Sequence, residues 1–500
     1  MPDGLDTFRD LARDHTLIPI ARDVFRDLET PVAAFWKLRR GAYSFLLESV
    51  EGGETWGRYT YMGTEPRAVY RAKGDVVTIA RPGVPDERVT ADDPLGFVLD
   101  RLKGERVYLD PALPRFVGGL VGGLTYDAVR WVEEIPDRHA SADPDADGPD
   151  LVFLETSLVL LWDNLLHQAK LIYLARVDGP DAADAAWDAA QRALDAAEAR
   201  LSGPLPTLPV SPSPAPVEAT ASMTDAEYGA IVEEARGYIG AGDCIQIVLS
   251  RTYDQPAAGL HPFLVYRALR TVNPSPYMLY LELGDTTLVG ASPEILVRVT
   301  DGEVVVRPIA GTRPRGATPE EDRALETELR ADPKELAEHV MLVDLGRNDV
   351  GRVATIGSVR IPEQMVIERY SHVMHLVSQV TGQVAPEHGP AAVLRATFPA
   401  GTLSGAPKIR AMELIDQLET SRRGFYGGAV GTIGVDGSMD LCIAIRTLVA
   451  EGERFRTRAG AGIVYDSDPQ TEADESRNKA RAVLRAIDLA RRMFFRRSLL

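Results

Sequence analysis

Cysteine is nearly absent from this sequence. Only two occur in 500 residues, Cys244 and Cys442, each in an apolar, strand-like run. A disulfide scaffold, a thiolate metal site and a secreted disulfide framework are therefore unsupported. Long apolar runs are missing too: the longest, near Leu158–Trp162, falls far short of the roughly 20 residues that span a bilayer. The N-terminus, Met-Pro-Asp-Gly-Leu-Asp, has no basic region followed by an apolar one, which argues against a signal peptide. These absences predict a cytoplasmic protein with no membrane partner. Positive charge is also in short supply, with 55 Lys and Arg against 73 Asp and Glu and a formal charge of −18. Non-specific nucleic-acid binding rests on clustered Lys and Arg, so nucleic acid is excluded as a partner and anionic lipid is disfavoured. Any anionic ligand must meet a local basic pocket or a bound cation.

The remaining composition, 45% hydrophobic and 26% charged, is that of a globular protein long enough for two large cores. Between about 40 and 175, short β-rich runs (Ala42–Leu47, Val69–Ala72, Val76–Ile79, Leu158–Leu161) are separated by Gly, Pro and Asp and suggest antiparallel sheet. Pro136–Asp150 reads as an exposed loop and Asp181–Leu201 as an Ala-rich helix. Ser202–Val217 is rich in Pro, which favours extended linker conformation. The chain is thus divided into an N-terminal domain over 16–175, a helix and linker over 176–218, and a larger domain over 219–492. Helices are predicted at Asp225–Ala241, Glu320–Arg330, Lys334–Leu345, Lys408–Glu419 and Glu472–Met493. Strands arrive in groups instead of alternating with helices, which favours an α+β fold.

Two helical segments each carry a pair of carboxylates three residues apart, Glu335 with Glu338 and Glu472 with Glu475, and Lys479 lies four beyond Glu475. That spacing stacks each pair on one helix face. Brought together, the two faces would make an all-oxygen cation site, suited to Mg2+ and not to zinc. Taken singly, each is equally a solvated face with Glu–Lys pairs. Phe398–Lys408 is a Gly- and hydroxyl-rich turn into a helix, whose exposed N–H groups would favour an anion. It lacks the Gly-Lys-Ser/Thr ending of a phosphate-binding loop. Gly311-Thr312 and Gly460-Ala461-Gly462 permit close backbone approach to a ligand, whereas the Gly118–Gly123 cluster reads as a turn. Arg446, in the apolar run Ile443–Leu448, is either a structural ion pair or a clamp for a substrate carboxylate. His372 and His375 lie on a strand or a helix, as packed histidines or as an acid or base.

Taken in order, Arg307–Gly316 (RPIAGTRPRG), Ala337–Arg352 (AEHVMLVDLGRNDVGR), Tyr370–His375, Pro399–Lys408 and Ala459–Ser467 (AGAGIVYDS) resemble the chorismate-utilising enzyme family. The likeness is dense over Ser222–Leu489 and looser over about Thr16–Leu174, where Leu46–Ser49 and Gly57-Arg-Tyr59 carry it. It is strongest to the family's anthranilate-forming members.

The resemblance implies a large sandwich of antiparallel sheets with outer helices and a C-terminal catalytic cleft. It implies Mg2+ held by Glu338 and Glu475, with Glu335 and Glu472 in support. Gly311, Thr312, Thr402, Tyr426, Arg446, Gly460, Ala461, Gly462 and Lys479 match positions that contact chorismate. Glu294, in Ser292-Pro-Glu294, matches a general acid, though without the likeness it reads as a turn with a surface carboxylate. His375 and Glu335 join Glu294 among the catalytic candidates. Gln246 stands where isochorismate and salicylate synthases have a water-activating lysine, and Ala310 where aminodeoxychorismate synthases have a nucleophilic one. Both differences favour ammonia adding at C2 of chorismate, followed by pyruvate loss. Ammonia is expected from a separate glutamine amidotransferase subunit, because neither cysteine here sits in a nucleophile turn. Leu46–Ser49 and Asn273–Met278 resemble a site for L-tryptophan as feedback inhibitor. Glu48 would meet its amino group and Tyr277 and Met278 its indole, with Ser49 and Pro276 beside them. A synthase that stops at 2-amino-2-deoxyisochorismate, or a noncatalytic tryptophan-binding relative, stays open at this point.

Overall fold

The computed structural model describes residues 2–49, 58–142, 147–370 and 373–495. Gly57 and His372 lie outside the described residues. Among the described residues, two 12-stranded antiparallel sheets stack face to face. In the first, the strand order is Leu17–Val24, Gln168–Arg176, Leu158–Asp163, Tyr59–Thr64, Tyr43–Glu48, Tyr277–Leu283, Thr286–Ser292, Thr447–Glu451, Arg454–Ile463, Gln246–Pro256 and Thr220–Ala221, with Gly405–Ala406 against Gln246–Pro256. The second runs Ile309–Pro314, Val373–Gln383, Glu303–Val306, Ile295–Thr300, Met439–Ile443, Ala429–Gly434, Gly119–Leu124, Leu151–Thr156, Ala68–Lys73, Val76–Arg81 and Val84–Thr90, with Arg360–Arg369 on Val373–Gln383. Strands from both sides of the linker share each sheet: Tyr43–Glu48 pairs with Tyr277–Leu283, and Gly119–Leu124 with Ala429–Gly434.

The α+β sandwich expected from the strand grouping and the resemblance is what the chain forms. Phe45, Val159, Leu279 and Leu281 of one sheet meet Val69, Val121, Leu154 and Val430 of the other in the inner core. Alternation sends Leu46, Met278 and Tyr280 to the opposite face of the first sheet, under the helices Pro31–Leu38, Ala183–Ser202, Pro262–Val272 and Pro469–Met493. The outer face of the second sheet packs against Pro94–Leu99, Pro333–Gly351 and Pro390–Thr397.

The turn expected at Gly118–Gly123 is instead the buried central strand Gly119–Leu124. A Cβ on Gly122 would fall 2.1 Å from the Val152 carbonyl oxygen, and one on Gly123 2.1 Å from that of Ala429. Glycine is required there because its neighbours approach so closely. Cys244 precedes the strand Gln246–Pro256, whereas Cys442 lies within one, and both thiols are buried and free. His375 falls on the strand Val373–Gln383. The Pro-rich linker is held down: the Ser211 N–H donates to Phe494 O at 2.9 Å, and the Trp36 indole N–H to Thr207 O at 3.4 Å. Among the described residues no helix is long and apolar enough to cross a membrane.

Both carboxylate-bearing helices start the same way. Asp332 caps Pro333–Gly351 through the N–H groups of Lys334 and Glu335, and Asp468 caps Pro469–Met493 through that of Thr471. Each has Pro in its first turn, where no intrahelical donor is lost. The caps fix where the helices begin, and so place all four glutamates in their first two turns.

Candidate active site

A cavity of about 680 Å³ opens where these two helices face the ends of Ile309–Pro314, Arg454–Ile463 and Gln246–Pro256. Glu294, Gly311, Thr312, Glu335, Glu338, His375, Thr402, Tyr426, Arg446, Gly460, Gly462, Glu472, Glu475 and Lys479 all line it. Ala461 does not: strand alternation turns it into the apolar cluster around Tyr228, Leu249 and Leu414. From the Phe398–Lys408 turn the lining takes Thr402 and Leu403, and the helix start at Lys408 lies outside it. Gln246 and Ala310 also face the cavity.

Burial drives the electrostatics. The Glu294 carboxyl is pushed up to about 7 by burial, against the opposing pull of a hydrogen bond from Thr402 and the charges of Arg446 and Lys479. The Thr402 hydroxyl donates to Glu294 Oε1 at 2.8 Å. Burial lowers the His375 imidazole pKa, helped by Arg446 and opposed by Gly311. Its Nδ1 lies 3.0 Å from Thr312 Oγ1 and 3.4 Å from Gly311 O. Arg446 is held at a left-handed φ of 52°, a conformation that costs about 1–2 kcal/mol for a residue with a side chain. Burial lowers its pKa against the raising effects of Tyr426, Glu294 and Glu475.

The two glutamate pairs offer only oxygen donors, the ligand type a hard cation prefers. Burial raises Glu338, with Glu335 adding like-charge repulsion; burial raises Glu472 likewise, with Glu475 adding the same. A divalent ion would relieve both effects. Among the described residues no group of three or more His, Cys, Asp or Glu stands close enough together to hold a metal. Mg2+ ordinarily takes only one or two protein carboxylates, with water or substrate oxygens completing its shell. Gln246 Nε2 donates to Glu338 Oε1 at 3.2 Å, while its buried Oε1 has no partner. A Cβ on Gly462 would come 2.5 Å from Gln246 Nε2, so this glycine keeps room for the amide. Lys479 pairs with Glu475 at 2.5 Å, and Arg313 with Glu335 at 3.0 Å.

A model described as chorismate binding enzyme matches residues 44–485. The chain belongs to the chorismate-binding enzyme family. Anthranilate synthase component 1 of Pseudomonas putida is 48% identical over 487 residues, covering 95% of this chain and 96% of that protein. Its counterpart in Thermus thermophilus is 47% identical, covering 94% and 98%. The crystal structure of anthranilate synthase component I from Streptococcus pneumoniae TIGR4 matches with a TM-score of 0.77 at 35% identity, covering 93% of this chain and 99% of that one. The menaquinone-specific isochorismate synthase MenF of Escherichia coli, 19% identical with a TM-score of 0.66, shares the fold.

A family member of this kind has cavity residues that sequence pattern does not single out. Lys334 lines the cavity, and its charge opposes the raised pKa values of both Glu338 and Glu472. Exposed in a first helical turn, it reads in sequence as a solvated cation; the one signal is its i, i+4 spacing to Glu338.

A second cavity of about 700 Å³ takes its lining from Ser49, Tyr59, Tyr61, Tyr108, Phe116, Pro276, Tyr277, Arg298 and Asp440, and from Glu48 and Met278. Two side chains expected to hold a ligand there are turned away. The Glu48 carboxylate accepts from the Tyr266 hydroxyl and pairs with Arg270 at 2.8 Å, and Met278 packs in the core beneath the helices. Strand alternation is the cause: residues paired across Tyr43–Glu48 and Tyr277–Leu283, as Glu48 and Met278 are, point to one face. The Tyr277 ring stays on the cavity side, its hydroxyl donating to Asp440 at 2.8 Å.

Proposed function

We propose that this chain is the chorismate-converting component of an anthranilate synthase: chorismate and ammonia give anthranilate, pyruvate and water. The observation that carries the reading is the buried Glu294 carboxyl, raised to about 7 in a cavity that Gln246 and Ala310 also line, where the resemblance puts lysines in the isochorismate, salicylate and aminodeoxychorismate synthases. The full-length relatives named above support it.

Chorismate is a dianion, and Arg446, Lys479 and the backbone N–H groups around Gly311 and Gly460–Gly462 would hold its carboxylates in a protein of net negative charge. Mg2+, when bound by Glu338 and Glu475 with Glu335 and Glu472 beside them, supplies a fixed positive charge for the ring carboxylate. Glu294 is the general acid: it gives its proton to the departing C4 hydroxyl, which leaves as water while the ammonia nitrogen bonds to C2. Thr402 orients the carboxyl through its 2.8 Å hydrogen bond. Gln246 Oε1, buried without a partner, is an acceptor for the incoming ammonia N–H. Its Nε2 is held by Glu338. His375 stays neutral at physiological pH because burial lowers its pKa. It therefore assists the proton transfer that accompanies loss of the pyruvyl group and leaves an aromatic ring.

Ammonia would come from a separate glutamine amidotransferase subunit. The second cavity, aromatic-walled with opposite charges at Arg298 and Asp440, suits L-tryptophan as a feedback inhibitor; Ser49, Pro276 and Tyr277 would contact it. The test is the purified chain with chorismate, Mg2+ and ammonium at mildly alkaline pH. Anthranilate fluorescence and pyruvate in equal amounts are expected, with no product when glutamine replaces ammonium. A product that retains the pyruvyl group would refute the elimination step.

A further inference from the structure

We propose that Arg251 is a positioning residue for the paired carboxylates Glu472 and Glu475, acting through the helix turns that carry them. The inference rests on assigning that pair to the Mg2+ site. Arg251 lies on the strand Gln246–Pro256, with its side chain only 1% exposed. Its guanidinium is gripped on every side. Nη1 donates to Met223 O at 3.1 Å, and Nη2 donates to Ala473 O at 3.0 Å and pairs with Asp225 at 2.8 Å. Nε donates to the Tyr253 hydroxyl at 3.0 Å and to Ser476 Oγ at 3.3 Å. The rings of Tyr228 and Tyr253 lie 4.9 and 5.5 Å from its central carbon.

Two of these partners, Ala473 and Ser476, each follow a cavity glutamate by one position. One planar fork therefore fixes the rotation of the helix turns that aim Glu472 and Glu475 into the cavity. Ser476 also donates to Ala459 O at 3.3 Å, tying the same turn to the strand that presents Gly460 and Gly462. The leverage is large. A side chain reaches about 6 Å from its helix axis, so a turn of about 10° moves a carboxylate by about 1 Å, whereas metal–ligand distances tolerate only about 0.2 Å. Lysine is no substitute, because a point ammonium cannot hold Ala473, Ser476 and Met223 at once.

Arg491 provides the matched control. It is fully buried on the same helix, and its Nη2 donates to Pro256 O at 3.2 Å and Ala257 O at 2.9 Å. It thus ties the far end of that helix to the end of the same strand, away from the carboxylates. The full chain and its variants are titrated with Mn2+ by electron paramagnetic resonance, with Mg2+ as competitor, alongside thermal unfolding. Arg251→Lys should weaken metal binding about tenfold, the usual result of losing a residue that orients a metal ligand. Ser476→Ala, which removes one contact without disturbing the buried charge, should weaken it a few fold. Arg491→Lys should lower the melting temperature as Arg251→Lys does and leave metal affinity unchanged. Equal metal affinity in Arg251→Lys or Ser476→Ala, or an equal loss in Arg491→Lys, would overturn the proposal. A native chain that binds no Mn2+ would instead overturn the Mg2+ assignment beneath it.

Discussion

Replacing Glu294 with Gln should make the protein slower and, above neutral pH, more stable. The native carboxyl is raised from 4.5 to about 7 by burial, so the folded chain binds this proton more tightly than the unfolded one. The resulting stabilisation is complete below the unfolded value of 4.5 and lost as pH rises through about 7. At about 1.4 kcal/mol per pH unit, that shift corresponds to at most about 3 kcal/mol. Glutamine is isosteric with the protonated acid and keeps an acceptor for the Thr402 hydroxyl, so the variant does not lose this term. Unfolding entropy scales to about 1 kcal/mol per degree for a chain of this size. Glu294→Gln should therefore melt about 3 °C above the native protein at pH 8, the gap narrowing to about 1 °C or less at pH 5. Turnover should fall by about 10²–10⁴, the usual worth of a positioned acid, with chorismate KM little changed. Calorimetry at the two pH values, with other titrations common to both proteins, isolates the carboxyl. A melting difference identical at pH 5 and pH 8 would refute the raised pKa, and an unchanged turnover number would remove Glu294 from the acid role.

Three further substitutions probe separate parts of the two cavities. Gly462→Ala puts a methyl 2.5 Å from Gln246 Nε2; the displaced amide should lower kcat/KM for ammonium at least tenfold, while a value within twofold would show that Gln246 does not face the nucleophile. Arg446→Gly relieves a left-handed residue and removes a cation. Unfolding should show stability held or raised, yet chorismate KM should rise about 10- to 100-fold, matching a lost charged hydrogen bond. An unchanged KM would make Arg446 structural. Ser49→Phe fills part of the second cavity and should abolish tryptophan inhibition while leaving uninhibited turnover within twofold; inhibition that persists would place the inhibitor elsewhere.

Local signals in the chain proved dependable where chemistry is local. The two carboxylate helices begin at Pro333 and Pro469, ahead of the expected starts at Lys334 and Glu472, and the i, i+3 glutamates of each share one face, which lines the cavity. What stayed hidden depends on partners distant in the chain. Gly119–Leu124 looked like a turn because glycine is a poor strand former, and only the neighbouring carbonyls of Val152 and Ala429 explain it. Glu48 and Met278 border the second cavity, but their side chains turn to the opposite face of the strand pair. A period of two identifies a strand without saying which side a cavity lies on, and that side is set by a partner strand some 230 residues away. The Ala461 side chain likewise turns into the core, between two glycines that line the cavity. The apolar run around Arg446 was visible, but its left-handed φ was not, because strain belongs to the folded backbone.

The proposed acid and the proposed nucleophile need opposite protonation states, and that conflict should appear in the pH profile. Ammonia attacks only as the free base, and ammonium releases its proton well above pH 7, so at fixed total ammonium the reactive fraction rises tenfold per pH unit across the neutral range. Glu294 must be protonated, and its acid form declines above about 7. The kcat/KM for total ammonium should therefore climb with unit slope to about pH 7. It should then run level as the two changes cancel, and fall beyond the ammonium pKa. Expressed per free ammonia, the same data should be flat below about 7 and fall with unit slope above it. Burial lowers the His375 pKa from its usual value, so a break from this residue falls below the bend near 7 and persists in Glu294→Gln. In Glu294→Gln the bend near 7 should vanish and the climb continue unbroken to the ammonium pKa. With chorismate saturating, kcat/KM for ammonium reports groups on the chorismate-bound enzyme, and a bend that survives in the variant would assign it to another residue, and with it the role of acid at the departing hydroxyl.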